Sequence, residues 1–220
     1  MPIQVKICGI NSVESADATV RAGADFAGLV FHPRSPRNLN DAQARSLADR
    51  LRSRTRIVAL TVDPDDAAVT AIAGNVKPEF IQLHGNEGAA RVSEIRSRFG
   101  LPVIKVLSVA DATDLNAARA YEAVADMLMF DAKAPVNATR EGGHGAAFDW
   151  QLLRGRTFTR PWLLAGGLNP ENVARAIAIS GAPGVDVSSG VETAPGVKSP
   201  DLIRNFIDNA RNAQFASVTP

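Results

Sequence analysis

The chain has a single cysteine, Cys8, in 220 residues. That excludes an intramolecular disulfide and any multi-cysteine zinc site, and it makes a reducing cytoplasm the expected compartment. Neither sign of charge is in excess: 24 Lys and Arg stand against 23 Asp and Glu, a formal net charge of +1. Such a balance leaves no electrostatic footprint for nucleic acid or a membrane surface. No apolar run approaches the length of a membrane span. The N-terminus shows neither the basic nor the apolar region of a signal peptide. No His, Asp and Glu grouping has metal-ligand spacing. A nucleophile elbow, a P-loop and a GxGxxG dinucleotide fingerprint are all missing. What is present is an ordinary globular composition, 45% hydrophobic and 21% charged. The length supports one sizeable core, read as a single domain over 1–220.

Eight short apolar, β-branched runs recur along the chain: "IQVKIC", "FAGLVF", "RIVALTV", "FIQLHG", "PVIKVL", "MLMFDAK", "WLLAGG" and "GVDVSSG". Several are continuously apolar, as strands buried on both faces must be. Helically spaced segments separate most of them, at 42–51, 67–72, 87–99, 113–124, 170–179 and 200–213. Asn11 with Glu14, and Asn40 with Gln43, have the spacing of capping boxes. Asn169-Pro170 and Ser199-Pro200 put a capping residue before a proline at the first helical position. The one weak crossover, 133–158, is Gly-rich with a short helix after Asp149 and reads as a long functional loop. Strand-helix alternation implies a parallel sheet wrapped by helices, and eight repeats imply a closed α/β barrel, the (β/α)8 or TIM fold.

That fold puts chemistry at the C-terminal ends of the strands. Cys8 ends the first strand, and His32, Arg34 and Arg37 follow the second. His84 follows the fourth, Ser108 ends the fifth, and Asp131 and Lys133 end the sixth. Cys8 is either a buried apolar filler or a thiol that loses its proton near neutral pH beside cations. Asp131 is either an acid holding its proton at an apolar rim or a salt-bridge partner of Lys133 or Lys6. Arg37 can fork onto a carboxylate, with Arg34 as its competitor. His84 has the position of a satisfied structural group or of a substrate contact. After the last two strands, Gly166 and Gly167, and Ser189 and Gly190, form turns whose N–H groups suit a phosphate.

Taken in order, "KICG", "SPR", "QLHG", "FDAK", "GGHGAAFDW", "LAGGLNPENV" and "VDVSSGVE" form a set. From Lys6 to about Lys198 the set resembles the phosphoribosylanthranilate isomerase family of tryptophan biosynthesis. The resemblance implies a (β/α)8 barrel with no metal or organic cofactor and a small-molecule substrate. The implied reaction is an Amadori rearrangement of an aminoaldose phosphate to an aminoketose phosphate. It also implies Cys8 as general base, Asp131 as general acid and Arg37 on the anthranilate carboxylate. Gly166, Gly167, Ser189 and Gly190 would hold the phosphate, with Asp186 and His84 near the substrate. Asn11 stands where the family usually has Thr, Ser199 where it has Asp, and His144 where it has a smaller residue. A histidine-pathway sugar isomerase would show paired aspartates at the ends of strands one and five. Here those positions are Cys8 and Leu107-Ser108. A non-catalytic phosphate-binding barrel would have no use for both Cys8 and Asp131. The chain reads as a free-standing cytoplasmic protein, monomeric or homodimeric.

Overall fold

The computed structural model of the protein describes residues 2–132 and 148–216. The readings placed on Lys133, on His144 and on most of the crossover after the sixth strand lie outside the described residues. All eight strands form: β1 Gln4–Cys8, β2 Phe26–Phe31, β3 Arg56–Thr61, β4 Phe80–Leu83, β5 Val103–Val109, β6 Met127–Ala132, β7 Trp162–Leu164 and β8 Gly184–Val187. Each pairs in parallel with the next, and β8 pairs with β1, so the sheet closes on itself. Strand alternation sorts the apolar side chains into two sets. Phe26, Val58, Ile104, Met129 and Leu163 cluster inside the barrel. Their chain neighbours Ala27, Ile57, Val103, Leu128 and Leu164 join the larger cluster under the helices. A strand that buries both faces this way must be apolar throughout.

The helices are α1 Val13–Arg21, α2 Asp41–Leu51, α3 Asp66–Asn75, α4 Ala89–Phe99, α5 Ala118–Glu122, α6 Val173–Ser180 and α7 Pro200–Ala216. The start of α2 is the expected capping box: Asn40 Oδ1 accepts from Gln43 N–H (2.9 Å), and Gln43 Oε1 accepts from Asn40 N–H (3.1 Å). Ser199 caps α7 through Leu202 N–H at 3.3 Å. Other starts differ from expectation. The cap of α1 is Ser12, reciprocated by Ser15, while the Asn11 amide is drawn away to the Gly196 carbonyl at 2.9 Å. Helix α6 begins at Val173 rather than Pro170, because Asn169 Oδ1 accepts from the N–H groups of Glu171 and Asn172 and holds a turn there. The expected 113–124 helix divides into a 3-10 turn, Asp114–Ala117, and the short α5. A 3-10 turn at Trp150–Leu153, capped by Asp149, is the short helix expected after that residue. Between β8 and α7 lies a feature absent from the sequence reading: a 3-10 turn, Ser189–Val191, and an antiparallel hairpin of β9 Glu192–Ala194 and β10 Val197–Lys198. No helix among the described residues is long and apolar enough to cross a membrane.

Helix α4 starts two residues later than expected because Glu87 is pulled inward. Its carboxylate lies 2.6 Å from Lys105 Nζ and accepts the N–H groups of Asp63 (2.8 Å) and Gly85 (3.0 Å). The ammonium also donates to the Gly85 carbonyl at 2.8 Å. Both side chains are buried, and together they staple the end of β3 to the loop after β4. Removing one member of a buried ion pair leaves the other charge uncompensated. Glu87→Ala is therefore expected to destabilise the fold by about 3–5 kcal/mol in urea unfolding. A loss under ~1 kcal/mol, the scale of a surface pair, would contradict this bracing role.

Candidate active site at the barrel mouth

Cys8 lies at the last position of β1, buried, with its side chain toward Gly28 of β2. A Cβ on Gly28 would lie 2.9 Å from Cys8 Sγ and 3.2 Å from Lys6 Nζ, so thiol and ammonium share the space this glycine leaves open. Lys6 is fully buried and paired with Asp186 Oδ1 at 2.7 Å. The partner of Lys6 is thus Asp186 and not Asp131. Burial pulls the Lys6 ammonium down, but Asp186 and Cys8 outweigh it and hold it above its ordinary value. The Cys8 thiol moves the other way from the sequence expectation. Burial pushes it up, with Asp186 adding to that, and the opposing charges of Lys6 and Lys198 do not overcome the shift. The resting group is a thiol poised beside a cation.

Asp131 lies on β6, buried, and its Oδ1 accepts the Ala132 N–H at 2.8 Å. Its Oδ2 is 3.2 Å from His84 Nε2. The other ring nitrogen, Nδ1, lies 3.4 Å from the Gln82 amide nitrogen. Gln82 is itself fully buried, and its Oε1 has no hydrogen-bond partner among the described residues. Gly166 closes the same corner. Its φ of +87° favours glycine, and a Cβ there would lie 2.5 Å from Ala132 N and 2.9 Å from Asp131 Oδ1. This residue makes room for the acid as well as forming the turn after β7.

Of the two arginines after β2, the structure buries Arg37 and leaves Arg34 exposed. The Arg37 stem crosses Gly9, where its Cδ occupies the place of a Cβ; Gly9 has a φ of +80°. The guanidinium forks onto Glu192, Nε to Oε1 and Nη2 to Oε2, both at 2.7 Å. Lys198 Nζ reaches the same Oε1 at 2.7 Å and donates to the Ser188 carbonyl and hydroxyl. Ser188 Oγ in turn donates to the Cys8 carbonyl at 3.1 Å. Burial pushes Glu192 up, but the two cations overcome it and bring it to about 2. Burial also pulls Lys198 down to about 8, with Glu192 opposing.

The turns after β7 and β8 meet. A Cβ on Gly190 would clash with the Leu168 carbonyl, so the two turns pack backbone on backbone. Gly167 has a φ of +65°, and its carbonyl accepts the Asn172 amide at 2.9 Å. The backbone N–H groups of Gly166 and Gly167 have no acceptor among the described residues. Open backbone amides in such a turn attract an anion.

The structure thus gathers the expected residues into linked groups: Cys8 with Asp186, His84 and Gly166 with Asp131, and the Ser189–Gly190 turn with Gly166–Gly167. Arg37 joins the first group through Gly9 and Ser188. Ser108 is exposed and is the register partner of Asp131 across β5 and β6. Sequence reasoning missed three participants. Lys6 sits two residues before Cys8, the period that puts both on one strand face. Glu192 and Lys198 sit on the unforeseen hairpin, although Glu192 closes the quoted "VDVSSGVE". Among the described residues no group of three or more His, Cys, Asp or Glu could hold a metal ion.

Residues 5–209 match the family model described as N-(5'phosphoribosyl)anthranilate (PRA) isomerase. The chain is 55% identical over 214 residues to the N-(5'-phosphoribosyl)anthranilate isomerase of Rhodopseudomonas palustris strain BisB18, covering 97% of this chain and 98% of that one. The crystal structure of phosphoribosyl anthranilate isomerase from Thermotoga maritima superposes with a TM-score of 0.84 at 37% identity, over 96% of this chain and 99% of that one. Another solved phosphoribosyl anthranilate isomerase holds reduced 1-(o-carboxyphenylamino)-1-deoxyribulose 5-phosphate, with a TM-score of 0.82 at 35% identity over 96% and 99% of the two chains.

The Lys6–Cys8 contact has a measurable consequence. Lys6 is the leading group that holds the thiol pKa down against burial. Lys6→Met should shift the pH profile of Cys8 alkylation by iodoacetamide to higher pH. A profile that stays in place, or moves to lower pH in a variant with native circular dichroism, would contradict the assignment.

Proposed function

The chain belongs to the N-(5'-phosphoribosyl)anthranilate isomerase family, and on that premise we propose that Cys8 is its general base and Asp131 its general acid. The reaction is an intramolecular aldose-ketose isomerisation. It converts N-(5-phosphoribosyl)anthranilate to 1-(2-carboxyphenylamino)-1-deoxyribulose 5-phosphate in tryptophan biosynthesis. The observation that carries the assignment is the unlike surroundings of the two groups. The thiol lies beside a buried ammonium, and the carboxyl lies beside an imidazole. Acid and base roles are separated by environments of this kind.

In this reading Asp131 gives its proton to the ring oxygen of the ribose. The bond from C1' to that oxygen breaks, and the nitrogen lone pair forms a C1'=N iminium. Cys8 then takes the proton from C2'. The electron pair of that bond forms an enolamine and neutralises the iminium. Protonation at C1' and loss of the C2' hydroxyl proton give the ketone. The iminium brings a positive charge to the mouth of the barrel, and with Lys6 it favours the thiolate that the resting site disfavours. His84, 3.2 Å from Asp131, is placed to return the proton. Arg37 takes the anthranilate carboxylate, and the turns at Gly166-Gly167 and Ser189-Gly190 take the phosphate. Asp186 acts through Lys6. Holding both anionic ends fixes the sugar between acid and base. A near-neutral chain without a membrane-crossing helix among its described residues supports a cytoplasmic site of action on a free small molecule. The chain is read as one barrel domain, monomeric or homodimeric.

The test is decay of phosphoribosylanthranilate fluorescence on adding the protein. Cys8→Ser and Asp131→Asn should each fold and each lose about 10²–10⁴-fold in kcat, the range of one proton-transfer catalyst. Turnover within a few-fold of wild type in either variant would remove that residue from its role.

A further inference from the structure

Glu192 and Lys198 have no part in the steps above, yet the fold buries both. Their side chains are 4% and 0% exposed, and Arg37, the second cation on Glu192, is 6% exposed. Three charges so placed carry a desolvation penalty that only close geometry offsets. The geometry is specific. Glu192 occupies one edge of the guanidinium, Nε and Nη2, with two bonds of 2.7 Å. The other edge, Nη1 with the second Nη2 hydrogen, has no acceptor among the described residues. Lys198, by contrast, is fully engaged by Glu192 and Ser188. Two cations and one carboxylate leave one positive charge over, and the adjacent Lys6–Asp186 pair does not cancel it. The surplus is carried by the guanidinium, whose second edge is open. A planar carboxylate fits such an edge with two parallel bonds.

We propose that Glu192 is a positioning residue for substrate recognition: it fixes the plane of Arg37 and turns the open edge toward the aryl carboxylate, while Lys198 braces the Glu192 carboxylate at its Oε1. This rests on the reading of Arg37 given above. The β9–β10 hairpin is then a specificity element, selecting N-aryl sugar phosphates with an ortho acid over those without one.

Two ligands test this: the reduced product, and the same compound built from aniline, which lacks the carboxyl group. Their dissociation constants are compared in wild type, Arg37→Ala and Glu192→Gln. Wild type should prefer the acid by about 10- to 100-fold, the range of charge-assisted hydrogen bonds. Arg37→Ala should abolish that preference. Glu192→Gln puts an amide N–H against the guanidinium and should cut the preference about tenfold or more, leaving the aniline compound bound within twofold of wild type. Glu192→Asp keeps the charge but shortens the reach, and gives the same readout should the Gln variant not fold. Full preference in the Glu192 variants, or equal weakening of both ligands, would overturn the positioning role while leaving Arg37 in place. Full preference in Arg37→Ala would overturn the reading of Arg37 itself, and with it this inference.

Discussion

A lysine buried inside the barrel sets the terms for the site above it. Lys6 has no exposed surface, and its ammonium rests 2.7 Å from Asp186. The two are register partners across the β1–β8 seam, where the first and last strands of the barrel meet. An isolated ammonium there would be costly to bury, so the pair can form only as the barrel closes. Fold completion and the electrostatic setting of Cys8 are therefore one event. A thiol within reach of that ammonium is held protonated by burial, and added positive charge nearby favours its ionisation. In the proposed mechanism, ring opening of the substrate supplies such a charge.

The same design repeats around the mouth. Each group facing the substrate is backed by a buried polar partner rather than left on a loose loop. His84 follows a strand whose end is tied down by Glu87 and Lys105. Arg37 is held by Glu192, which Lys198 braces in turn. The Cys8 carbonyl is held by Ser188. Buried pairs of this kind add little net stability over an apolar core. What they provide is placement, and catalysis by positioned acid and base depends on placement to within a fraction of an ångström.

The barrel was legible because strands buried on both faces announce themselves as apolar runs, and eight of them alternate with helical spacing. Cys8, Arg37, Asp131 and the glycine turns were legible because they sit at strand ends inside quoted motifs. What could not be read were partners far apart in the chain. Lys6 was read only as a possible partner of Asp131, and the β1–β8 register pairs it with Asp186 instead. Glu192 meets Arg37 across 155 positions, through a hairpin too short to show a strand pattern. Local caps went astray for a related reason. Asn11 has good capping chemistry, but Gly196 claims its amide, and Glu87 is drawn out of the expected helix by Lys105. Ser12 and Gly88 take the vacated positions.

The central claim is that thiol and carboxyl act on two different atoms of one sugar. A crystal structure of this protein holding the reduced product tests it most directly. The account predicts Cys8 Sγ about 3–3.5 Å from C2', the separation of reacting atoms, with Asp131 on the hydroxyl derived from the ring oxygen. The aryl carboxylate should lie on the open edge of Arg37, and the phosphate on the turns at Gly166-Gly167 and Ser189-Gly190. A bound molecule with its phosphate on Arg37, or with Cys8 turned away from C2', would contradict the account.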